Sequence, residues 1–499
     1  MSEHFDVLIV GAGISGVGMA CHLQRESPGK RFVILERRNA IGGTWDLFRY
    51  PGIRSDSDMF TFAYDFRPWM SPKVLAEGGL VRDYVCRTAK EFGVDRHIRF
   101  GLKILRAAWS GDVKLWTVSA LHEATGESKT YTCNFLVSCT GYYDYDRAYL
   151  PEFPGLENFK GQSIHPQFWP EKLDYKGKKV VIIGSGATAV TLVPAMVADA
   201  AHVTMLQRTP TYYLIPPNLE QLIGVLEKVL SARWLYATIR SVYISLQRAI
   251  YKSARRWPEN MRKFFLRPVK RALGDTVDMR HFTPDYMPWD QRVCVVPDGD
   301  LFRAIRSGKA SVVTDQIVSF SEHGILLKSG ETLEADIVIT ATGLRLKTFG
   351  GIEITVDGKP VAANRLLTYR AVLMQNIPNM AIVLGYTNAS WTLKADIASR
   401  YVCRLLNHME ANGIASTTPR ALESDVDRGN AWSSLTSGYM QRGIDELPRQ
   451  GRSAPWRVTH AYETDRALLL DDPIDDGLLE FALIDRAAPA AAPPAPAAA

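Results

Sequence analysis

Two short glycine-rich turns constrain this 499-residue chain more than any other feature. The first, Gly11-Ala12-Gly13-Ile14-Ser15-Gly16, follows the apolar run Phe5 to Val10 and opens a helical pattern that continues through Leu23. The second, Gly184-Ser185-Gly186-Ala187-Thr188-Ala189, follows Val180 to Ile183, with alanine in the third position. Strand, glycine turn and helix in that order bring backbone N–H groups and a helix N-terminus up to a phosphate. Each half of the chain later carries an apolar strand closing on Thr-Gly, Phe135 to Gly141 in one and Asp336 to Gly343 in the other. The expectation is an α/β protein with two dinucleotide-binding, Rossmann-like folds, one inserted into the other, plus a helical insertion.

The residue that ends the next strand separates the two sites. Twenty residues after Gly16, closing the run Phe32 to Leu35, stands Glu36, whose carboxylate would accept hydrogen bonds from a ribose 2′-hydroxyl and repel a 2′-phosphate. After Val203 to Leu206 come Gln207, Arg208 and Thr209, where a guanidinium can hold a 2′-phosphate through two hydrogen bonds. Glu36 against Arg208 points to FAD in the first fold and NADPH in the second. A plain surface arginine is the ordinary alternative for Arg208.

With 46% hydrophobic residues the chain can bury large cores. Its six cysteines, Cys21, Cys86, Cys133, Cys139, Cys294 and Cys403, show no CxxC and no metal-ligand spacing, so reduced thiols in a cytoplasm and no metal are expected. Glu3 and Asp6 stand at the start of the chain, where a signal peptide would be apolar, and none is expected. The uncharged stretch Val180 to Ala198 has the length of a membrane span but reads as buried strand, turn and helix, because it holds three polar residues, two glycines and Pro194. The net charge of +6 is unevenly spread: Lys228 to Arg271 holds twelve Lys or Arg against Glu259 alone. Apolar spacing there fits amphipathic helices with a solvated basic face. Contact with an anionic membrane and steering of NADPH are the minority readings, and nucleic acid is disfavoured because no recognition motif accompanies the charge. The tail 487–499, only Ala and Pro, is expected to be a disordered extension.

Between the two turns lies Phe159-x-Gly161-x-x-x-His165-x-x-x-Trp169-Pro170. An isolated His and Trp would as readily pack as function. Five fixed positions flanked by two nucleotide motifs are more specific, and the string resembles the fingerprint of Baeyer–Villiger monooxygenases, the class B flavoprotein monooxygenases. The resemblance covers nearly the whole chain. It implies that Gly43, Thr44, Trp45 and Asp46 wrap the flavin, that Asp56 stands near its ring system, and that Ile104, in an alternating stretch from His97 to Trp116 that suggests a hairpin, lies near the adenine. It implies NADP contacts from Arg54 and Ser55, and it puts Arg292, after Met287-Pro288-Trp289-Asp290-Gln291, where the family keeps its active-site arginine. A cation is needed there because a C4a-peroxyflavin attacks a carbonyl only as its anion; Asp56 would orient that cation, and a structural salt bridge is the bland alternative. Gly385 to Thr392 reads as a turn returning to the flavin fold.

The expected organisation is an FAD domain in two parts, 1–150 and 346–486, a linker at 151–175, an NADPH domain in two parts, 176–217 and 281–345, and a basic helical insertion at 218–280. The expected reaction inserts oxygen from O₂ into a ketone to give an ester, with oxygenation of thioethers and thioamides beside it. A flavin monooxygenase acting only on N or S is disfavoured because its fingerprint ends in Tyr or Phe where this chain has Trp169-Pro170. A disulfide reductase lacks its cysteine pair here, and a non-enzymatic NADPH sensor is the remaining rival. Neither the particular substrate nor the oligomeric state is legible.

Overall fold

The structure is a computed structural model describing residues 3–275, 277–291, 293–431 and 437–484. Arg292 and the Ala/Pro tail lie outside the described residues.

Parallel strands are covered on both faces and so read as continuous apolar runs. Glu3–Val10 pairs in parallel with Phe32–Leu35 on one side and Glu127–Ser138 on the other, and Val7, Leu8 and Ile9 are fully buried. Ile98–Arg99 extends the sheet beyond Phe32–Leu35, while Met380–Ile382, from the C-terminal part of the chain, joins the other side of Glu127–Ser138. Leu102–Ser110 and Leu115–His122 form the expected hairpin and continue the sheet from Glu127–Ser138 in antiparallel pairing.

The second sheet contains five parallel strands in the order Ala310–Thr314, His202–Gln207, Lys179–Ile183, Ile337–Thr340, Gln162–Ile164. All of them fall in sequence between Glu127–Ser138 and Met380–Ile382, so the second fold is nested in the first. The fingerprint segment, read from sequence as linker, supplies the edge strand Gln162–Ile164. Gly161 precedes it because a side chain there would stand 2.5 Å from the Phe159 ring and run into the Asp336 carbonyl.

The basic segment forms the helices Glu220–Leu226, Ala232–Arg256 and Pro258–Leu273. Pro258 occupies the first turn of the last helix, where its missing N–H costs nothing, and this separates it from the long helix before it. Leu235 and Tyr236 pack with Phe60 and Val74 of the first fold, whereas Val269 and Leu273 enter the core of the second. Arg240 is not part of a solvated face: it is buried and donates to the carbonyls of Phe60 (2.8 Å) and Ala63 (3.1 Å), which the short helix Met59–Phe62 leaves without internal partners at its end. A second link runs through Gly52 (φ +72°), whose missing side chain leaves room for Ala195 in the helix Ala187–Met196.

Beneath the first turn, helix Ile14–Glu26 is tied to helix Trp391–Ala411 by buried His22, which lies 3.1 Å from Glu26 and 3.4 Å from Asp396. Burial alone would lower the imidazole's pKa, but hydrogen bonds to Asp396 and Glu26 outweigh it and raise the value from 6.5 to about 9. The folded protein thus holds a proton that the unfolded chain releases above pH 6.5. This contribution is complete below pH 6.5 and is lost as pH rises through about 9. The difference in urea midpoint between wild type and His22→Gln should therefore shrink over that interval; a difference constant from pH 6 to 9.5 would contradict the charged pair.

Candidate active site

The first turn is shaped by contact. Gly11 (φ +99°) faces the end of strand Glu127–Ser138, where a side chain would sit 2.8 Å from the Cys139 carbonyl oxygen, and a side chain on Gly16 would collide with the Gly11 carbonyl. Helix Ile14–Glu26 then starts from Gly13 with no side-chain cap, leaving its first N–H groups for an anion. Glu36 is buried beside it; its two carboxylate oxygens accept from the Ala12 N–H (2.6 Å) and the Arg38 N–H (2.7 Å). Burial raises its pKa, and those two hydrogen bonds act against the rise.

These groups open onto one cavity of about 710 Å³, within the usual range for small-molecule and cofactor sites. Its wall includes Gly11, Gly13 and Ser15 of the turn, together with Glu36 and Ile104. Gly43, Thr44, Trp45 and Asp56 form another part of it. Gly16 and Asp46 stand behind the wall. Buried Asp46 binds Arg38 (2.8 Å) and also Arg49, so its carboxylate fixes the loop. Trp391 closes one side by donating from Nε1 to Ser15 Oγ (2.8 Å).

Asp58, which sequence reasoning passed over, also lies on the wall and is buried. It caps helix Met59–Phe62 by accepting from the Thr61 N–H (2.8 Å) and receives Gln247 Nε2 (2.7 Å) from the long inserted helix. Burial raises its pKa, opposed by the bonds to Thr61. The far part of the cavity is apolar and comes largely from the insertion: Val242, Tyr243, Leu246, Ile250 and Phe264. Position 292 is not described, but Trp289 and Val293 on either side of it are cavity wall.

The second turn repeats the first. Gly184 (φ +136°) faces the end of Ile337–Thr340, where a side chain would collide with the Ala341 carbonyl, and Gly186 opens onto free space before helix Ala187–Met196. Ser185 Oγ donates to the Thr209 carbonyl (2.9 Å), tying the turn to the neighbouring strand end, while buried Ala189 packs below. Thr188 meets the Tyr50 hydroxyl of the first fold. Gln207 is buried and donates to the His281 carbonyl (2.6 Å) and Thr314 (2.9 Å), so it faces the interior, whereas Arg208 is exposed.

Two further arginines, Arg345 and Arg442, lie near the Thr342-Gly343 strand end. Arg442 stacks on Tyr149, 3.4 Å from the ring centroid, and donates to the Thr342 carbonyl (3.5 Å). Burial and the nearby charges of Arg208 and Arg345 lower its pKa although Tyr149 acts the other way. Arg345 could have been noticed two residues beyond Thr342-Gly343; nothing local marks Arg442. Arg54 is held by Asp300 (2.5 Å), and the Ser55 hydroxyl donates to the Ser57 carbonyl (2.8 Å).

The fingerprint residues belong to the second fold and do not contribute to the cavity wall. His165 Nε2 donates to the Gly343 carbonyl (3.3 Å), and its Nδ1 accepts from the Gln167 N–H (3.1 Å), an arrangement that requires a neutral ring. Burial lowers its pKa, opposed by the bond to Gly343. Gln167 reaches the Asp144 carbonyl of the first fold (2.8 Å). Phe159 is buried with Phe320 and Val181, Trp169 packs on the core of the second fold, and Pro170 is exposed.

Residues 5–419 match the model of the flavin-binding monooxygenase-like family, and the chain belongs to that family. Among its relatives, the FAD-containing monooxygenase MymA of Mycobacterium tuberculosis is 57% identical over 97% of this chain and 98% of its own, and the FAD-containing monooxygenase EthA of the same species is 50% identical over 97% and 98%. The fold is that of a steroid monooxygenase solved with NADP, with a TM-score of 0.76, 22% identity, and coverage of 94% of this chain and 97% of that one. The protein is an oxidoreductase, a flavoprotein monooxygenase with the architecture of the Baeyer–Villiger enzymes. Among the described residues no helix is long and apolar enough to cross a membrane.

Because His165 contacts Gly343 and stands off the cavity wall, His165→Ala should slow turnover and leave the product spectrum unchanged. Product analysis on an unsymmetrical ketone checks this; an altered ester ratio would mean that the ring reaches the substrate.

Proposed function

We propose that the chain binds FAD at the first turn and NADPH at the second, and uses O₂ to convert ketones to esters. One oxygen atom enters the C–C bond beside the carbonyl, the other leaves as water, and NADPH supplies the two electrons. Thioethers and thioamides would be oxygenated at sulfur in the same site. The observation that carries this reading is the single cavity running from the glycine turn and Glu36 to an apolar chamber beside Trp289 and Val293. The proposed domains are 1–150 with 346–486 for FAD and 176–217 with 281–345 for NADPH. The fingerprint strand would belong to the latter, and 218–280 is the insertion.

The residues fit a dinucleotide at the first turn: glycines where side chains would collide, uncapped helix N–H groups for a pyrophosphate, and a carboxylate fixed by two backbone donors for a ribose. When bound, the flavin supplies redox chemistry that activates O₂. The chain's tasks are then to exclude water and to orient the substrate. Tyr243 and Ile250 give the chamber apolar wall further in, and Val242, Leu246 and Phe264 give it an apolar rim. We assign to Arg292 the stabilisation of negative charge on the transferring oxygen and on the carbonyl adduct, with Asp56 orienting the guanidinium.

Removing such a group typically costs about a hundred- to a thousandfold in rate. Arg292→Ala should therefore nearly abolish ester and sulfoxide formation while NADPH oxidation persists and yields hydrogen peroxide; oxygen-electrode and peroxide assays with and without ketone separate these. Coupled ketone oxidation at the wild-type rate in Arg292→Ala would refute the assignment. Asp56→Ala should share part of the defect, and the double variant should be less than additive.

At the second turn Arg208 and Arg442 would share the 2′-phosphate. Arg208→Ala should narrow the NADPH over NADH preference by roughly 1–3 kcal/mol, the usual scale for charge-assisted hydrogen bonds, and Arg442→Ala should narrow it in the same direction. The ratio of kcat/KM for the two cofactors tests this. Selectivity unchanged in both variants would move the phosphate site elsewhere.

A further inference from the structure

The inserted helices have two unlike surfaces meeting at one place. Val242 and Leu246 of the long helix and Phe264 of the next line the cavity, yet all three are exposed, Phe264 to 49%. They are therefore the rim of its mouth. Trp257, seven residues before Phe264, is also exposed, as is Trp234 near the start of the long helix.

The same outer surface is basic. Phe264, Arg267 and Arg271 are spaced i, i+3 and i+7, which places them on one helical face. Lys263 and Lys270 are exposed beside them, and Lys252 and Arg256 are exposed on the long helix. Arg256 lies over the Trp257 ring, 5.3 Å from its centroid. Arg248 and Arg255 are engaged by Glu463 and Asp290 and Arg240 is buried, so these three do not contribute. Exposed aromatic and aliphatic side chains ringed by Lys and Arg are what a helix lying in the headgroup layer of an anionic bilayer requires: the apolar groups enter the acyl boundary and the cations stay with the headgroups. A merely solvated basic face would not need Trp257 and Phe264 in water, nor would it coincide with a cavity rim.

We propose that residues 232–273 dock the protein on an anionic lipid surface with the cavity mouth turned toward the bilayer, so that apolar substrates enter from the lipid. The docking stands on the helices alone; the route for substrate rests on the oxygenation reading above.

The test is co-sedimentation of the FAD-loaded full-length protein with vesicles, without NADPH or ketone, so that a failure of the proposed reaction cannot affect the result. Vesicles of phosphatidylcholine with 30% phosphatidylglycerol should bind the protein at about 50 mM salt and release much of it at about 500 mM, and pure phosphatidylcholine should bind little. Reversing three exposed charges, Lys263→Glu, Arg267→Glu and Arg271→Glu together, should weaken partitioning on the order of a hundredfold, from about a factor of five for each basic side chain at such a surface. Trp257→Ser should weaken it at both salt concentrations. Oxidation of a short, water-soluble ketone should persist in these variants, which reports that they fold. Salt dependence of the wild-type protein requires no variant, so misfolding of the triple variant leaves the proposal testable. Equal binding to both vesicle types, no binding to either, or a dimer in solution that the same charge reversal dissociates would overturn it.

Discussion

At Gly11 and again at Gly184 the backbone passes so close to the end of a neighbouring strand that even a methyl carbon has no place, against the Cys139 carbonyl in one case and the Ala341 carbonyl in the other. Both residues have a positive φ that L side chains adopt at a cost, so glycine is required twice over. Each close approach sets the start of a helix against the C-terminal end of parallel strands, where the strand order leaves a crevice for ligands. The Thr-Gly ends of the apposed strands, Thr140-Gly141 and Thr342-Gly343, therefore belong to the sites themselves. At the second, both His165 and Arg442 find carbonyl partners, on Gly343 and Thr342 respectively.

The two folds are joined by more than chain crossings. The loop Arg49 to Arg54 reaches the second fold at three points: Tyr50 at Thr188, Gly52 against Ala195, and Arg54 at Asp300. The insertion completes the junction, with Leu235 and Tyr236 in one core and Val269 and Leu273 in the other. A movement between the folds must therefore shear the same helices that wall the apolar chamber.

Sequence pattern was most informative where the constraint is local. A glycine with no room for a side chain, a strand buried on both faces and an acid at a strand end each leave a signature within a few residues, and Gly11, Gly184 and Glu36 stand where those signatures put them. Side chains whose role depends on distant partners were not legible in the same way. Arg240 lies in a run of basic residues and looks solvated, yet it satisfies the end of a helix far away in sequence. Asp46 sits in a glycine-rich loop and looks like a ligand-binding group, yet it fixes two arginines. Asp58 was overshadowed by Asp56, although its spacing to Thr61 is that of a helix cap. The strand Gln162–Ile164 is only three residues long, too short for any periodicity to distinguish it from linker.

In the proposed assignment, the contrast between the two turns is what lets one chain sort two similar dinucleotides. At the first, a 2′-phosphate would have to approach Glu36, a carboxylate already desolvated and fixed by two backbone donors, so that repulsion in a buried setting would exclude it. At the second, burial lowers the pKa of Arg442, and the charges of Arg208 and Arg345 add to that effect. In the proposed assignment a 2′-phosphate would be attracted by these cations, and a ligand lacking it would forgo that attraction. In the proposed assignment, selectivity at the first site thus comes from a penalty on the wrong ligand and at the second from attraction of the right one. Under that assignment the two devices act on the same chemical group with opposite sign, a carboxylate at one turn and guanidinium groups at the other.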